Sequence, residues 1–260
     1  MPYFCERYRR NRKINFSHHF RKNKKYTMIT IVIPTLNEGR STYFRKVLKS
    51  IPKEAELVIV DSFSCDGTAE IAKEYADKFI QTDTQSRSAR LNLGIEAATG
   101  DWIVLHHPRS VLSEDALAQL NQISEEVVWG GFTHQFDVKH PALKFTSWYS
   151  NNVRGDKKKI YYLDHCIFAR AMILKEKLPL PEVDIFEDTL LCKMLKKHKS
   201  IRLGATSTTS AVRFVKNGIF RQAILNQYLK ALFFLSFDHR KMNVLYERKV
   251  PLNTEYDRDN

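Results

Sequence analysis

No stretch of this 260-residue chain reaches the ~18 consecutive apolar residues of a membrane-spanning helix. The nearest candidate, Ile219 to Phe237, is broken by Arg221, Gln222, Asn226, Gln227 and Lys230 and reads as an amphipathic helix. The N-terminus has no continuous apolar core of a secretory signal. The four cysteines, Cys5, Cys65, Cys166 and Cys192, are scattered and lack metal-ligand spacing, so reduced thiols in a cytosolic protein are expected. G-x-G-x-x-G does not follow the first predicted strand, and G-x-x-x-x-G-K-[ST] is missing altogether. Dinucleotide redox chemistry and P-loop hydrolysis lose their support with them.

What is present suits one globular unit. Hydrophobic residues make up 43% and aromatics 12%, enough for a sizeable core. The formal net charge is +13, but residues 1–27 hold nine Lys or Arg against one Glu, so the remainder carries only +5. That basic segment reads as an arm for an anionic membrane surface or nucleic acid, or as a solvated, poorly ordered terminus with Met28 as the alternative start. No nucleic-acid partner is expected, because the charge is not spread over the rest of the chain.

Apolar β-branched runs and helix-period segments alternate. The strands are ITIVIP, ELVIVD, KFIQT and DWIVLH, and the helices are Ser41 to Ser50, Ala69 to Tyr75 and Ser86 to Ala98. Such alternation implies a mainly parallel sheet with right-handed crossovers, whose ligands sit beyond the carboxyl ends of the strands. The second half reads as a mixed extension. VVWGGFTHQFDV and KKIYYLDHCIFAR are predicted strands, and PALKFTSWYSNNV and FEDTLLCKMLKKHK predicted helices. The expected organisation is a basic tail (1–27), a domain (28–240) with a nucleotide-binding half (28–110) and an acceptor half (111–240), and a polar C-terminal tail (241–260).

The segments after the strands carry IVIPTLNEG, LVIVDSFSCDGT, SRSARLNLGIEAATGD, then YYLDHCIFAR and DIFEDTLLCKML. In this order they resemble the family 2 inverting glycosyltransferases of GT-A fold, most closely the small soluble bacterial type, over about Ile29 to Asp238. The resemblance implies an α/β, Rossmann-like GT-A fold. It also implies transfer of a sugar from a UDP-like donor to a saccharide or lipid-linked acceptor of cell-surface polysaccharide biosynthesis. The expected location is cytoplasmic, peripheral to the inner face of the membrane. Asp61 suits a base N–H, with Pro34, Thr35 and Glu38 over the same strand edge; Asn37 shapes the turn. Arg87, opening a helix, suits a diphosphate or, as the alternative, a surface ion pair. By resemblance, Asp188 is the base that deprotonates the acceptor and Glu187 its neighbour. Asp164 lines the acceptor side. His165 reads either as a second acceptor-side residue or as a partly buried core histidine.

The resembling enzymes end the fourth strand in an acidic D-x-D motif that holds a divalent cation. Here those positions are His106, His107 and Pro108, followed by Arg109. No metal or other cofactor is therefore assigned, and Mn²⁺ or Mg²⁺ is doubtful. Three readings stay open: Arg109 with His106 or His107 takes the place of the cation at the donor phosphates; one histidine binds a transition metal with help from Asp164 or His134; or the fold persists as a non-catalytic nucleotide-sugar-binding or scaffold protein.

Overall fold

The computed structural model describes residues 27–84 and 86–247. Most of the basic arm, Cys5 and residues 248–260 lie outside the described residues. β1 (Ile29–Thr35), α1 (Thr42–Ser50), β2 (Glu56–Asp61), α2 (Thr68–Lys73), β3 (Lys78–Gln81), α3 (Arg87–Ala97) and β4 (Trp102–Leu105) alternate as the hydrophobic pattern predicts. β5 (Ser110–Leu112), α4 (Ala116–Asn121), β6 (Trp129–Phe136) and α5 (Pro141–Trp148) follow, and α5 runs on into a π-helix (Tyr149–Lys157). A 3₁₀ turn (Leu163–His165), β7 (Ile167–Arg170), α6 (Ala171–Glu176), α7 (Glu187–Leu195), β8 (Ser200–Thr209), α8 (Val212–Asn217), α9 (Ile219–Phe234) and α10 (His239–Tyr246) complete the described chain.

Among the described residues the strands form one eight-stranded sheet in the order β3-β2-β1-β4-β7-β6-β8-β5. β3, β2, β1 and β4 are parallel; β7 runs antiparallel to β4 and β6, and β5 antiparallel to β8. The fold is α/β with a mainly parallel sheet and a mixed extension. Side-chain alternation along each strand builds two cores. Ile29, Ile31 and Ile33 of β1 join Trp102 and Val104 of β4 on one face, under α1. Val32, Ile103 and Leu105 join Leu91 and Ile95 of α3 and Leu191 and Leu195 of α7 on the other. The site is thereby confined to the open ends of β1, β2 and β4, where α3 and α7 begin.

Two segments depart from expectation, and a third, β8, carries no expectation from the sequence. KKIYYLDHCIFAR is a strand only from Ile167. Before it, Tyr161 and Leu163 turn inward, the 3₁₀ turn forms, and Cys166 takes a left-handed φ of 48°. The polar tail expected from 241 is helical through Tyr246 and buries Met242 against Leu229, Ile185 and Phe186. β8, rich in Ser and Thr, is a full strand that turns Leu203, Ala205, Ser207 and Thr209 inward.

At Gly130 of β6, a Cβ would lie 1.9 Å from the Ile201 carbonyl oxygen of β8. Gly130→Ala should therefore cost about 1–3 kcal/mol, the range for overpacking a buried position. Chemical denaturation would show it as a lowered midpoint; an unchanged midpoint would mean the strands can separate there at no cost.

Candidate active site

The segment LHHPRS is a tight turn between two strands. The Ser110 N–H donates to the His107 carbonyl at 3.1 Å, and Pro108 occupies the second turn position, where its fixed φ is favourable. Period-two alternation carries past the end of β4 and separates the two histidines. His106 falls on the α1 face with Ile31, Ile51 and Leu112 and is 1% exposed. Burial pushes its imidazole down to about 4. His107 faces a cleft of about 450 Å³ on the other side. Burial first, then the Arg87 charge, pushes His107 down to about 3, so it too is neutral at pH 7. Neither imidazole therefore carries a charge at pH 7 in these surroundings, which weighs against one of the readings open from the sequence, a histidine cation at the donor phosphates. Arg109, 7% exposed, is bridged to Glu38 at 2.8 Å, which ties the turn to the loop after β1.

Two acids open α7 on the opposite wall. Phe186, immediately before them, sits at φ 67°, a left-handed conformation that an aromatic residue rarely takes. Such strain is held only where the surroundings enforce it, and it concentrates at functional sites. It turns Glu187 inward, 1% exposed, to receive Nε of Arg87 from the start of α3. Asp188 faces the cleft. Its Oδ2 accepts from the Leu163 N–H at 3.1 Å, and its Oδ1 from the Thr189 N–H at 2.6 Å. Burial, then the adjacent Glu187 charge, raise the Asp188 carboxyl to about 7, although Arg87 works against them. A buried carboxyl that titrates near neutrality, facing a cleft, has the properties of a general base.

Pro34, Glu38, Arg87, His107, Arg109, Asp164 and Asp188 all reach this cleft. Thr35 and Asp61 lie one layer below it, fully buried, with the Thr35 hydroxyl donating to Asp61 at 2.9 Å. Ser64 donates to Asp61 twice, through its N–H at 2.9 Å and its hydroxyl at 2.6 Å. Glu187 lies behind Asp188. His106 is on the far side of the sheet. His165 takes the core alternative: it is fully buried between the Ser150 hydroxyl, 2.7 Å away, and the Phe132 carbonyl, 2.9 Å away. Asn37, at φ 54°, shapes the loop after β1. Arg90, Arg154, Tyr162, Arg213 and Lys230 also line the cleft and were not singled out from the sequence. The π-helix and α9 bring Arg154 and Lys230 in from far along the chain, and no local motif marks them.

The residues at 106–108 do not fit a divalent cation. One imidazole is on the wrong face, Pro108 has no ligating side chain, and Nδ1 of His107 accepts from the Arg109 N–H at 3.0 Å. No three His, Cys, Asp or Glu side chains among the described residues converge to hold an ion.

The raised Asp188 carboxyl has a consequence for stability. A group with a folded pKa of about 7 against an ordinary 3.8 favours folding most when protonated, and that contribution fades as pH rises from about 4 through 7. Asp188→Asn keeps the shape without the charge. It should match the wild-type melting temperature near pH 4 and exceed it increasingly up to pH 8, by scanning calorimetry. Equal melting temperatures at pH 8 would mean that Asp188 is ordinary in its acidity.

Comparison with known proteins follows the same geometry. The Glycosyl transferase family 2 model matches residues 30–179, more than half of the chain. S. aureus TarS (residues 1–349) superposes with a TM-score of 0.55 at 17% identity, covering 84% of this chain and 69% of that one. Its complex with UDP-GlcNAc gives 0.56 at 19% identity over 70% and 58%. Glucosyl-3-phosphoglycerate synthase from Mycobacterium tuberculosis, in complex with Mn²⁺, UDP and glucosyl-3-phosphoglycerate, gives 0.51 at 16% identity over 72% and 73%. The structural matches share the GT-A fold, and the sequence match runs from β1 through β7: the chain belongs to glycosyl transferase family 2 and is a glycosyltransferase.

Proposed function

We propose that the chain transfers a sugar from a uridine-diphosphate donor to a hydroxyl acceptor with inversion, using Asp188 as base and no divalent cation. The observation that carries this reading is the cleft-facing Asp188 carboxyl with a pKa of about 7. The uridine preference is supported by the UDP and UDP-sugar complexes of the two superposing enzymes.

The acceptor hydroxyl is held near Asp188, whose carboxylate takes its proton as the oxygen attacks the anomeric carbon. The bond from that carbon to the β-phosphate oxygen breaks on the opposite side, and its electron pair leaves with UDP. Direct displacement inverts the anomeric centre. The Leu163 and Thr189 N–H groups hold Asp188 in place, and Arg87, bound to Glu187, fixes the helix start on which both acids stand. The uracil edge reaches Asp61, taking one of the positions that Ser64 occupies.

Asp188→Asn should lower transfer by at least about 100-fold with donor affinity nearly unchanged; near wild-type turnover would place the base elsewhere. Asp61→Ala should weaken UDP binding by about 1–3 kcal/mol, the cost of an unmet polar partner, and isothermal titration in excess EDTA measures it. UDP affinity that depends on restored Mn²⁺ would contradict the metal-free reading.

A peripheral membrane location is part of the same proposal. No helix among the described residues is long and apolar enough to cross a membrane. α9, about 24 Å long, nevertheless exposes Phe220, Ile224, Tyr228 and, at its end, Leu235 at 70, 70, 54 and 78%. These residues recur at helical spacing on one face, and an exposed apolar stripe of this size calls for a covering surface. The stripe and the basic N-terminal arm support an anionic bilayer. Replacing Phe220 and Ile224 together by Asp should reduce co-sedimentation with anionic vesicles several-fold; equal co-sedimentation would exclude α9 from the contact.

A further inference from the structure

The cations on the cleft wall fall into two groups. Arg87, Arg109 and Arg213 are each bridged to a carboxylate, from Glu187, Glu38 and Glu247. Arg90, 5% exposed, donates to the Thr35 carbonyl and serves the loop after β1. Arg154 and Lys230 differ. No carboxylate of the described residues lies within ion-pair distance of either, yet both face the cleft. Arg154 donates to the Ser150 hydroxyl, while its Nε is buried without a hydrogen-bond partner.

Both charges rest on one aromatic ring. The Arg154 guanidinium carbon lies 3.4 Å from the centroid of Tyr162, and Nζ of Lys230 lies 5.9 Å from it. They come from different elements, the π-helix and α9, so their meeting is a tertiary feature. A π-helical segment is rare and often marks a functional position, and here it sets Arg154 at the cleft. Two like charges held together in a half-buried place repel one another. Burial and Arg154 accordingly lower the Lys230 ammonium to about 8, while Asp164 opposes that shift and Lys158 adds to it. An arriving anion would relieve the repulsion.

We propose that Arg154 and Lys230, seated on Tyr162, form a phosphate-binding subsite of the cleft. Two cations on one ring, close enough to feel each other's charge, match a dianion in charge. The guanidinium fork binds two oxygens and the ammonium a third. Within the glycosyltransferase reading, on which only the source of the phosphate rests, that group is either the donor diphosphate or a phosphate on the acceptor. A donor source would supply the positive charge that the residues at 106–108 do not provide.

Calorimetric titrations of the full chain with inorganic phosphate, UDP, glycerol phosphate and uridine test this in wild type, Arg154→Gln, Lys230→Met and Lys230→Arg. Phosphate affinity should fall at least tenfold in Arg154→Gln and Lys230→Met and be largely kept in Lys230→Arg, with uridine affinity unchanged throughout. A parallel loss for UDP assigns the subsite to the donor, and a loss for phosphate and glycerol phosphate that spares UDP assigns it to the acceptor. If uridine and UDP fail to bind wild type while phosphate binds and needs both cations, the subsite stands and the donor reading falls. Phosphate ligands that bind Arg154→Gln and Lys230→Met as tightly as wild type, or that do not bind wild type, overturn the proposal.

Discussion

The contact between Arg87 and Glu187 joins residues 100 positions apart, the first residue of α3 and the first residue of α7. One helix belongs to the half with the parallel strands and the other to the mixed extension. The pair therefore closes the cleft from both sides and decides how Asp188 is presented. With Glu187 turned inward to meet Arg87, the next residue on α7 faces the open space. The same buried negative charge, beside a desolvated Asp188, helps raise that carboxyl into the range where it can accept a proton at neutral pH. Breaking the pair would leave a carboxylate uncompensated at 1% exposure, a costly state. Structural integrity and the acidity of the base thus depend on one ion pair.

The segment HHPRS shows how a change at one strand end redistributes charge over the cleft. Pro108 and the His107–Ser110 hydrogen bond make the segment a turn, and Arg109 is spent on Glu38. Both histidines are neutral, one of them on the opposite face of the sheet. Among the described residues, Arg154 and Lys230 line the same cleft with neither a carboxylate ion pair nor, as Arg90 has, a backbone carbonyl as partner. Where enzymes resembling this chain carry acids for a cation, it carries a structural turn.

Much of the fold was legible because buried parallel strands have a plain signature. ITIVIP and ELVIVD are short runs dominated by apolar, β-branched residues, and each lies in a strand with every residue buried. Ser41 and Ser86 were legible as helix starts, and each caps its helix by accepting a backbone N–H. β8 was not legible, since its apolar alternation is short, Ile201, Leu203 and Ala205, and polar Ser207 and Thr209 continue the inward face. The YYLDHC segment was misread because its aromatics serve packing, Tyr161 on Trp129 and Tyr162 on Phe186, in a turn rather than a strand. Asp188 and Arg87, which both line the cleft, stand in short motifs at element ends and so could be singled out as candidates. The neutrality of His107, the burial of His106 and the partners of Arg109 depend on what surrounds them in three dimensions. No local pattern records that, and the same holds for Arg154 and Lys230.

The pH dependence of sugar transfer under single-turnover conditions tests the role of Asp188 most directly, in wild type and in Glu187→Gln. The rate in wild type should rise with pH through a single ionisation near 7. In Glu187→Gln, with the adjacent negative charge gone and Arg87 still present, that limb should move toward lower pH. A limb near the ordinary carboxyl value of 3.8 in wild type, or one that stays in place in Glu187→Gln, would contradict a base whose acidity is set by burial and by Glu187.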